Sequence, residues 1–255
     1  MSFNNAINYR IVIPARYASA RLPGKVLLEL AGQTMLQRVW QCALDSAAKS
    51  VVIATDDQRI VNVAKAFGAD VQMTSSKHQS GSDRIAECGG TLGWTDEQVI
   101  VNLQADEPLM PSDCLDQIAG LLLDNADCEA ASLYWPISDE QEVRNPNVVK
   151  VVTDTQSRAL FFSRAAVPFS REHEDVSMAM QAGIEWKRHL GLYAYRLAAL
   201  RRFTAMEPSP LEVAERLEQL RILEYGGQIA MTQACEYIPA GIDTQDDLNR
   251  VQKLF

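Results

Sequence analysis

Several short stretches of this sequence gather side chains able to handle phosphate and a hard cation. The first is Pro14-Ala15-Arg16-Tyr17-Ala18-Ser19-Ala20-Arg21-Leu22-Pro23-Gly24-Lys25, with cations at 16, 21 and 25. Backbone N–H groups in such a loop form a concave nest, the arginines offer forked donors, and Lys25 adds a point charge. Polyphosphate suits that chemistry; a solvated basic loop is the bland alternative. The spacing is neither a Walker A loop nor Gly-x-Gly-x-x-Gly, which excludes a dinucleotide-dependent dehydrogenase. The second stretch is Val99–Pro108, an apolar run ending in Asp106-Glu107-Pro108. Carboxylate oxygens at a strand end are what Mg²⁺ needs while it also holds phosphate, and a locally capped turn would look the same. The third is Gly241-Ile242-Asp243-Thr244, where Asp243 is either a second metal carboxylate or the N-cap of a closing helix.

Other groups are weaker signals. Read as a strand, residues 189–195 put His189, Gly191, Tyr193 and Tyr195 on one face, lining a polar pocket or packing as core. The loop Gln79-Ser80-Gly81-Ser82-Asp83-Arg84 opens a helix whose N–H groups either read a base edge or are simply capped. Arg164 is a two-pronged carboxylate clamp or a surface arginine. Glu218 and Gln219 fall on an apolar-striped helix, where a solvated face is the default.

The elements that must position these groups follow from periodicity. Arg10–Pro14, Val51–Thr55 and Gln98–Leu103 are buried, strand-sized apolar runs. Between them, Thr34–Ala47 and Asp57–Phe67 carry apolar residues at helical spacing, with Thr34 and Asp57 as N-caps. Strands separated by amphipathic helices imply an α/β fold: a mainly parallel sheet with helices on both faces. Ligands of such sheets bind outside the carboxyl ends of the strands. The second half predicts strands at Val148–Val152, Ala159–Phe162, Leu190–Tyr195 and Gln228–Gln233. It also predicts one helix over Leu211–Tyr225 and another over Thr244–Leu254. Ser163–Glu185 is long and polar, a mobile segment or part of an inserted lobe. The whole of 1–255 is read as one domain with a smaller, irregular lobe at roughly 135–205.

Bulk properties narrow the classes. The chain has 255 residues, 47% of them hydrophobic and 22% charged, an ordinary soluble composition. No apolar run approaches the roughly 20 residues of a membrane span, and no signal peptide is expected. The net charge of −9 argues against a nucleic-acid partner, so cations for an anionic substrate must be gathered locally. The five cysteines are dispersed, which fits a reducing cytoplasm and predicts buried small residues rather than disulfides or zinc.

In order and spacing, these segments resemble the CMP-Kdo synthetases, the 3-deoxy-manno-octulosonate cytidylyltransferases. The likeness is carried by residues 13–25, Ala54-Thr55-Asp56, His78-Gln79-Ser80-Gly81, Asn102-x-Gln104-x-Asp106-Glu107-Pro108 and Asn145–Val152. It continues in Phe162-Ser163-Arg164-Ala165, Arg188-His189-Leu190-Gly191, Leu217-Glu218-Gln219-Leu220-Arg221 and Gly241–Thr244, so it spans about residues 9 to 252. The resemblance implies a Rossmann-like nucleotidyltransferase fold and a cytoplasmic homodimer that serves lipopolysaccharide biosynthesis. It implies transfer of CMP from CTP to the anomeric 2-hydroxyl of Kdo, or of its 8-amino analogue, with release of pyrophosphate. By position, Arg16, Ser19 and Lys25 would hold the CTP phosphates, with Ser80, Gly81 and Arg84 near the cytosine. Asp106 and Asp243 would bind Mg²⁺, and these two with Arg16 and Lys25 would form the catalytic set. Gln104, Arg164, His189, Tyr193, Glu218 and Gln219 would face the sugar, and the lobe would serve sugar binding and dimerisation. Sialate-specific relatives share the opening loop but not the 188–191 and 217–219 segments; a transferase for another sugar acid and a catalytically inactive CTP-binding regulator are the alternatives. Two positions depart from the family pattern: Ala105 stands where glycine is usual, and Val26 where proline is.

Overall fold

The computed structural model describes residues 8–18 and 22–255; Ser19 and Arg21 of the opening loop lie outside them. The strands are β1 (Tyr9–Ala15), β2 (Glu29–Leu30), β3 (Gln33–Thr34), β4 (Val51–Thr55), β5 (Asp70–Met73), β6 (Val99–Asn102), β7 (Ala130–Pro136), β8 (Lys150–Thr153), β9 (Ala159–Ser163), β10 (Lys187–Arg196) and β11 (Ile229–Gln233). The helices are α1 (Met35–Leu44), α2 (Gln58–Ala66), α3 (Gly81–Thr91), α4 (Ser112–Asp124), α5 (Glu140–Arg144), α6 (Val176–Gln181), α7 (Leu197–Ala205), α8 (Pro210–Glu215), α9 (Gln219–Glu224) and α10 (Gln245–Gln252). The main sheet runs β11-β7-β10-β6-β1-β4-β5, and the β8–β9 pair branches from β10.

Strands β6, β1, β4 and β5 are parallel neighbours, and β11 is parallel to β7; β10 runs antiparallel between β6 and β7. The β-branched run Ile11-Val12-Ile13 is buried on both faces because each face carries helices. Its period of two sorts it between two cores. Ile11 and Ile13 join Leu36, Val39, Ile60, Leu115 and Ile118 from α1, α2 and α4. Val12 joins Ile85, Cys88, Leu197 and Leu200 from α3 and α7.

Local signals set the helix starts. The Thr34 hydroxyl accepts from the Gln37 N–H, and the Asp57 carboxylate accepts from the Arg59 N–H. At α10 the cap is Thr244, which forms a reciprocal capping box with Asp247. Asp243 is therefore not the cap.

The helix expected over 211–225 is in fact two. Its break falls at Arg216, whose φ of 56° is left-handed. Tertiary contacts override the apolar stripe there. The Glu215 carboxylate accepts from the Ser163 hydroxyl and the Arg164 N–H, and its carbonyl accepts from Arg164 Nε at 2.7 Å. With α8 anchored to the end of β9, the chain turns, Leu217 enters the core, and Gln219 is carried inward.

The polar segment 163–185 contains α6 and has a small core of its own. Val176 and Ala179 pack with Ile137, Val143 and Trp186, and the Trp186 indole donates to the Pro168 carbonyl at 3.2 Å.

Candidate active site

The carboxyl ends of β1, β4 and β6 point the same way, and the loops leaving them form one floor. Arg16 follows β1 directly and is exposed. The loop returns through Gly24, whose φ of 68° is left-handed and whose missing Cβ would sit 3.1 Å from the Tyr17 ring, so glycine is required there. The next residue, Lys25, turns its ammonium inward to donate to Asp106 Oδ2 at 2.6 Å, Asp243 Oδ1 at 2.9 Å and the Ile242 carbonyl at 3.0 Å. Burial alone would lower the Lys25 pKa. The charges and hydrogen bonds of Asp106 and Asp243 prevail and hold it above the ordinary lysine value.

Two carboxylates remote in sequence are thus drawn to one cation. β6 delivers Asp106. The Ile242 N–H donates to the Asp106 carbonyl at 2.9 Å, which places Asp243 beside it. Gly241 allows this approach, since a Cβ there would lie 3.2 Å from that same carbonyl oxygen. Both departures from the family pattern are accommodated. Ala105 is buried and is not among the described residues with left-handed φ, so its turn does not need glycine. Val26 is buried in the main core, which holds the loop from below.

The donor set fits a hard divalent ion. Among the described residues no cluster of three or more His, Cys, Asp or Glu side chains is placed to hold a metal. Two carboxylates at a strand end would leave most coordination positions to water and substrate oxygens, as Mg²⁺ bound with a triphosphate requires.

Ser80 caps α3 and closes a capping box with Asp83; Gly81 opens the helix against Pro14 at the end of β1. The first turn of α3 therefore faces the β1 loop, where its N–H groups can meet a nucleotide. Arg84 is differently employed. Its guanidinium is buried and donates to Thr74 and, at 2.9 Å, to Asp56, fixing α3 to the end of β4.

β10 is ten residues long and extends past the carboxyl end of β6, because Tyr193 pairs with Asn102, the last residue of that strand. Its preceding residues overhang the floor. An irregularity between Leu190 and Tyr193 inserts two residues relative to β7, and an even insertion preserves facing. His189 therefore stays near Tyr193, with ring centroids 5.4 Å apart, and Tyr193 stacks on Tyr195. The Ser132 hydroxyl donates to the Leu192 carbonyl at 2.9 Å and its oxygen lies 3.1 Å from His189 Nε2, an arrangement that puts the imidazole proton on Nε2. Burial depresses the His189 pKa to about 3, and burial raises that of Tyr193.

The remaining predicted residues are spread around this overhang. Gln104 donates to Asn102 Oδ1 at 3.3 Å. Glu218 lies at the α8–α9 break, 3.5 Å from the Ser82 hydroxyl, and burial raises its pKa. Gln219 Nε2 and Tyr193 Oη are buried without hydrogen-bond partners. Arg164 donates to the Glu215 and Pro146 carbonyls, tying the β9 end to the end of α8 and to the loop after α5.

Glu107 was read from sequence only as a companion of Asp106. Burial pushes its carboxyl pKa up to about 8, and its buried Oε2 has no hydrogen-bond partner. It lines a cavity of about 70 Å³ with Arg188, His189, Gly191 and Gly241. Orphaned polar atoms at Glu107, Tyr193 and Gln219 are costly unless a polar ligand completes them.

The His189 state has a measurable consequence. Below pH 6.5 the unfolded chain takes up a proton that folded His189 refuses until about pH 3, so its contribution to stability is lost as pH falls through that window. Denaturant unfolding of wild type and His189→Gln should therefore show a steeper stability loss in wild type between pH 6.5 and 4. Equal slopes would mean the imidazole titrates normally.

The family model for cytidylyltransferases matches residues 10–231. A 3-deoxy-manno-octulosonate cytidylyltransferase of Thioalkalivibrio sulfidiphilus is 49% identical over 250 residues, covering 98% of this chain and 99% of that one. One from Francisella tularensis subsp. tularensis is 46% identical over 251 residues, covering 97% and 98%. The solved structure of a CMP:2-keto-3-deoxy-manno-octonic acid synthetase complexed with CTP is 35% identical with a TM-score of 0.88, covering 97% of this chain and 98% of that chain. The chain belongs to the 3-deoxy-manno-octulosonate cytidylyltransferases.

Proposed function

We propose that this chain transfers CMP from CTP to the anomeric 2-hydroxyl of Kdo or its 8-amino analogue, releasing pyrophosphate. The observation that carries the reading is the Lys25 ammonium bridging Asp106 and Asp243 beside the β1 loop. In-line phosphoryl transfer needs positioning and charge neutralisation more than covalent catalysis. Arg16 and Lys25 offset charge on the triphosphate and its pyrophosphate leaving group. Ser19, Ser80, Gly81 and the first turn of α3 hold the nucleotide, with Arg84 supporting that turn. Mg²⁺ held by Asp106 and Asp243 would polarise the α-phosphate and lower the pKa of the sugar hydroxyl. Neutral His189 with Tyr193, Gln104, Glu218 and Gln219 presents donors and acceptors to the sugar. Arg164 holds the Glu215 and Pro146 carbonyls through Nε and Nη1, which leaves Nη2 to meet the sugar carboxylate.

The test is pyrophosphate release from CTP with a panel of sugar acids, with products weighed by mass spectrometry. CMP adducts of the eight-carbon acids are expected. Preference for a nine-carbon acid would replace the acceptor, and CTP binding without turnover on any acid would point to a regulator.

We also propose a homodimer formed through the region at roughly 135–205. Phe169 is 76% exposed and Leu160 and Met178 are more than half exposed, apolar surface that a second copy would cover. Phe169→Asp should shift the molar mass in light scattering from two chains to one; an unchanged mass would remove Phe169 from the interface.

A further inference from the structure

Two cysteines that are far apart in sequence meet in space. Cys114 is buried in the first turn of α4, and Cys235 is exposed just beyond the end of β11. Their sulfurs lie 3.6 Å apart across a sequence separation of 121 residues. The approach is built rather than incidental. The Gln117 side chain, one turn along α4, donates to the Gln233 carbonyl at 2.8 Å and accepts from the Cys235 N–H at 2.9 Å. The Ala234 N–H donates to the Tyr134 carbonyl at 2.9 Å. The backbone on which Cys235 stands is therefore pinned to α4 and β7 with its sulfur against Cys114. Closing to a bond of about 2.05 Å asks for roughly 1.5 Å of movement.

We infer that Cys114 and Cys235 form a peroxide-responsive dithiol that closes to an intramolecular disulfide. Cys235 is the sulfur that solvent reaches, whereas burial holds Cys114 as a thiol, its pKa pushed up to about 12. A hydroperoxide therefore meets Cys235 first. The Cys235 thiolate attacks the O–O bond: an S–O bond forms, the O–O bond breaks, and the departing oxygen leaves as water or alcohol after taking a proton. Sulfur is oxidised to the sulfenic acid. Cys114 then attacks that sulfur, the S–S bond forms, the S–O bond breaks, and hydroxide leaves as water with the Cys114 proton. Two thiols and one hydroperoxide yield one disulfide, one water and one water or alcohol.

The location gives the link a consequence. Cys114 lies eight residues after Asp106, and Cys235 eight residues before Asp243. The disulfide would staple together the two segments that carry these carboxylates and close a large loop of the chain, which restricts the unfolded ensemble. Among the described residues, the sulfurs of Cys42, Cys88 and Cys128 do not come within hydrogen-bond distance of another cysteine sulfur.

The native full-length protein is treated with hydrogen peroxide, quenched with an alkylating agent and mapped by peptide mass. The expected result is one linked Cys114–Cys235 peptide pair lacking two hydrogen atoms, and a raised Tm that dithiothreitol reverses. Cys114→Ser should stop at a sulfenic acid on Cys235 that dimedone traps, and Cys235→Ser should leave Cys114 unmodified; circular dichroism confirms that both are folded. Recovery of both thiols as unlinked oxidation products, or linkage only between two chains through Cys235, overturns the inference. The readout is independent of the transferase reaction and stands or falls apart from it.

Discussion

Replacing Asp106 with asparagine is expected to lower turnover with CTP and Kdo by roughly 100- to 1,000-fold, about 2.7–4 kcal/mol of transition-state stabilisation. The side chain keeps its size and its place at the end of β6, so the fold should be retained. Its charge is lost, and with it half of the acidic pair that Lys25 bridges. Saturating Mg²⁺ should not restore the rate, because asparagine offers only a neutral oxygen. Steady-state kinetics over a Mg²⁺ series checks this; near-normal kcat at high Mg²⁺ would remove Asp106 from the metal site.

The second large effect is at Lys25. Lys25→Gln removes the cation that bridges Asp106 and Asp243, and if that cation also offsets triphosphate charge, as proposed, kcat should fall roughly 100-fold. The same change leaves Asp106 and Asp243 facing each other without their ammonium. A divalent ion entering the wild-type site meets a positive charge that is already there. Even at the dielectric of water, a unit charge pair at 4 Å is worth about 1 kcal/mol, and a divalent ion doubles that. Without nucleotide, Lys25→Gln should therefore bind Mn²⁺ roughly tenfold or more tightly than wild type, as read by electron paramagnetic resonance. The variant would then be a worse enzyme and a better metal binder, a pairing that general destabilisation does not produce. Equal Mn²⁺ affinity in the two proteins would separate Lys25 from the metal carboxylates.

Much of this was legible in the sequence because it is local. The runs Ile11-Val12-Ile13 and Val51–Thr55 specify buried strands by β-branching alone, and Thr34 and Asp57 mark helix starts through their own side chains. The carboxyl-end placement of Arg16 and Asp106 follows once those strands are parallel. What was hidden depends on distant partners. The break at Arg216 arises because Ser163 and Arg164 hold Glu215, more than fifty residues away, and no stripe on the helix records that. Arg84 reads as a nucleotide contact until Thr74 and Asp56 are seen to occupy it. The Lys25 bridge joins positions 218 apart. The small core beneath residues 163–185 escaped because two buried side chains of α6 and Trp186 are diluted by polar neighbours. The cysteine spacing likewise concealed a pair that the fold brings together, and Cys235 is exposed rather than buried.

The proposed mechanism requires Asp106 and Asp243 to act on one ion. The most direct test is a double-mutant cycle of Mn²⁺ binding in the presence of CTP, with Asp106→Asn, Asp243→Asn and both together. Shared ligation predicts that each single change costs nearly as much affinity as the pair, a strongly non-additive cycle. Additive losses, or a single variant that binds Mn²⁺ as wild type does, would contradict it.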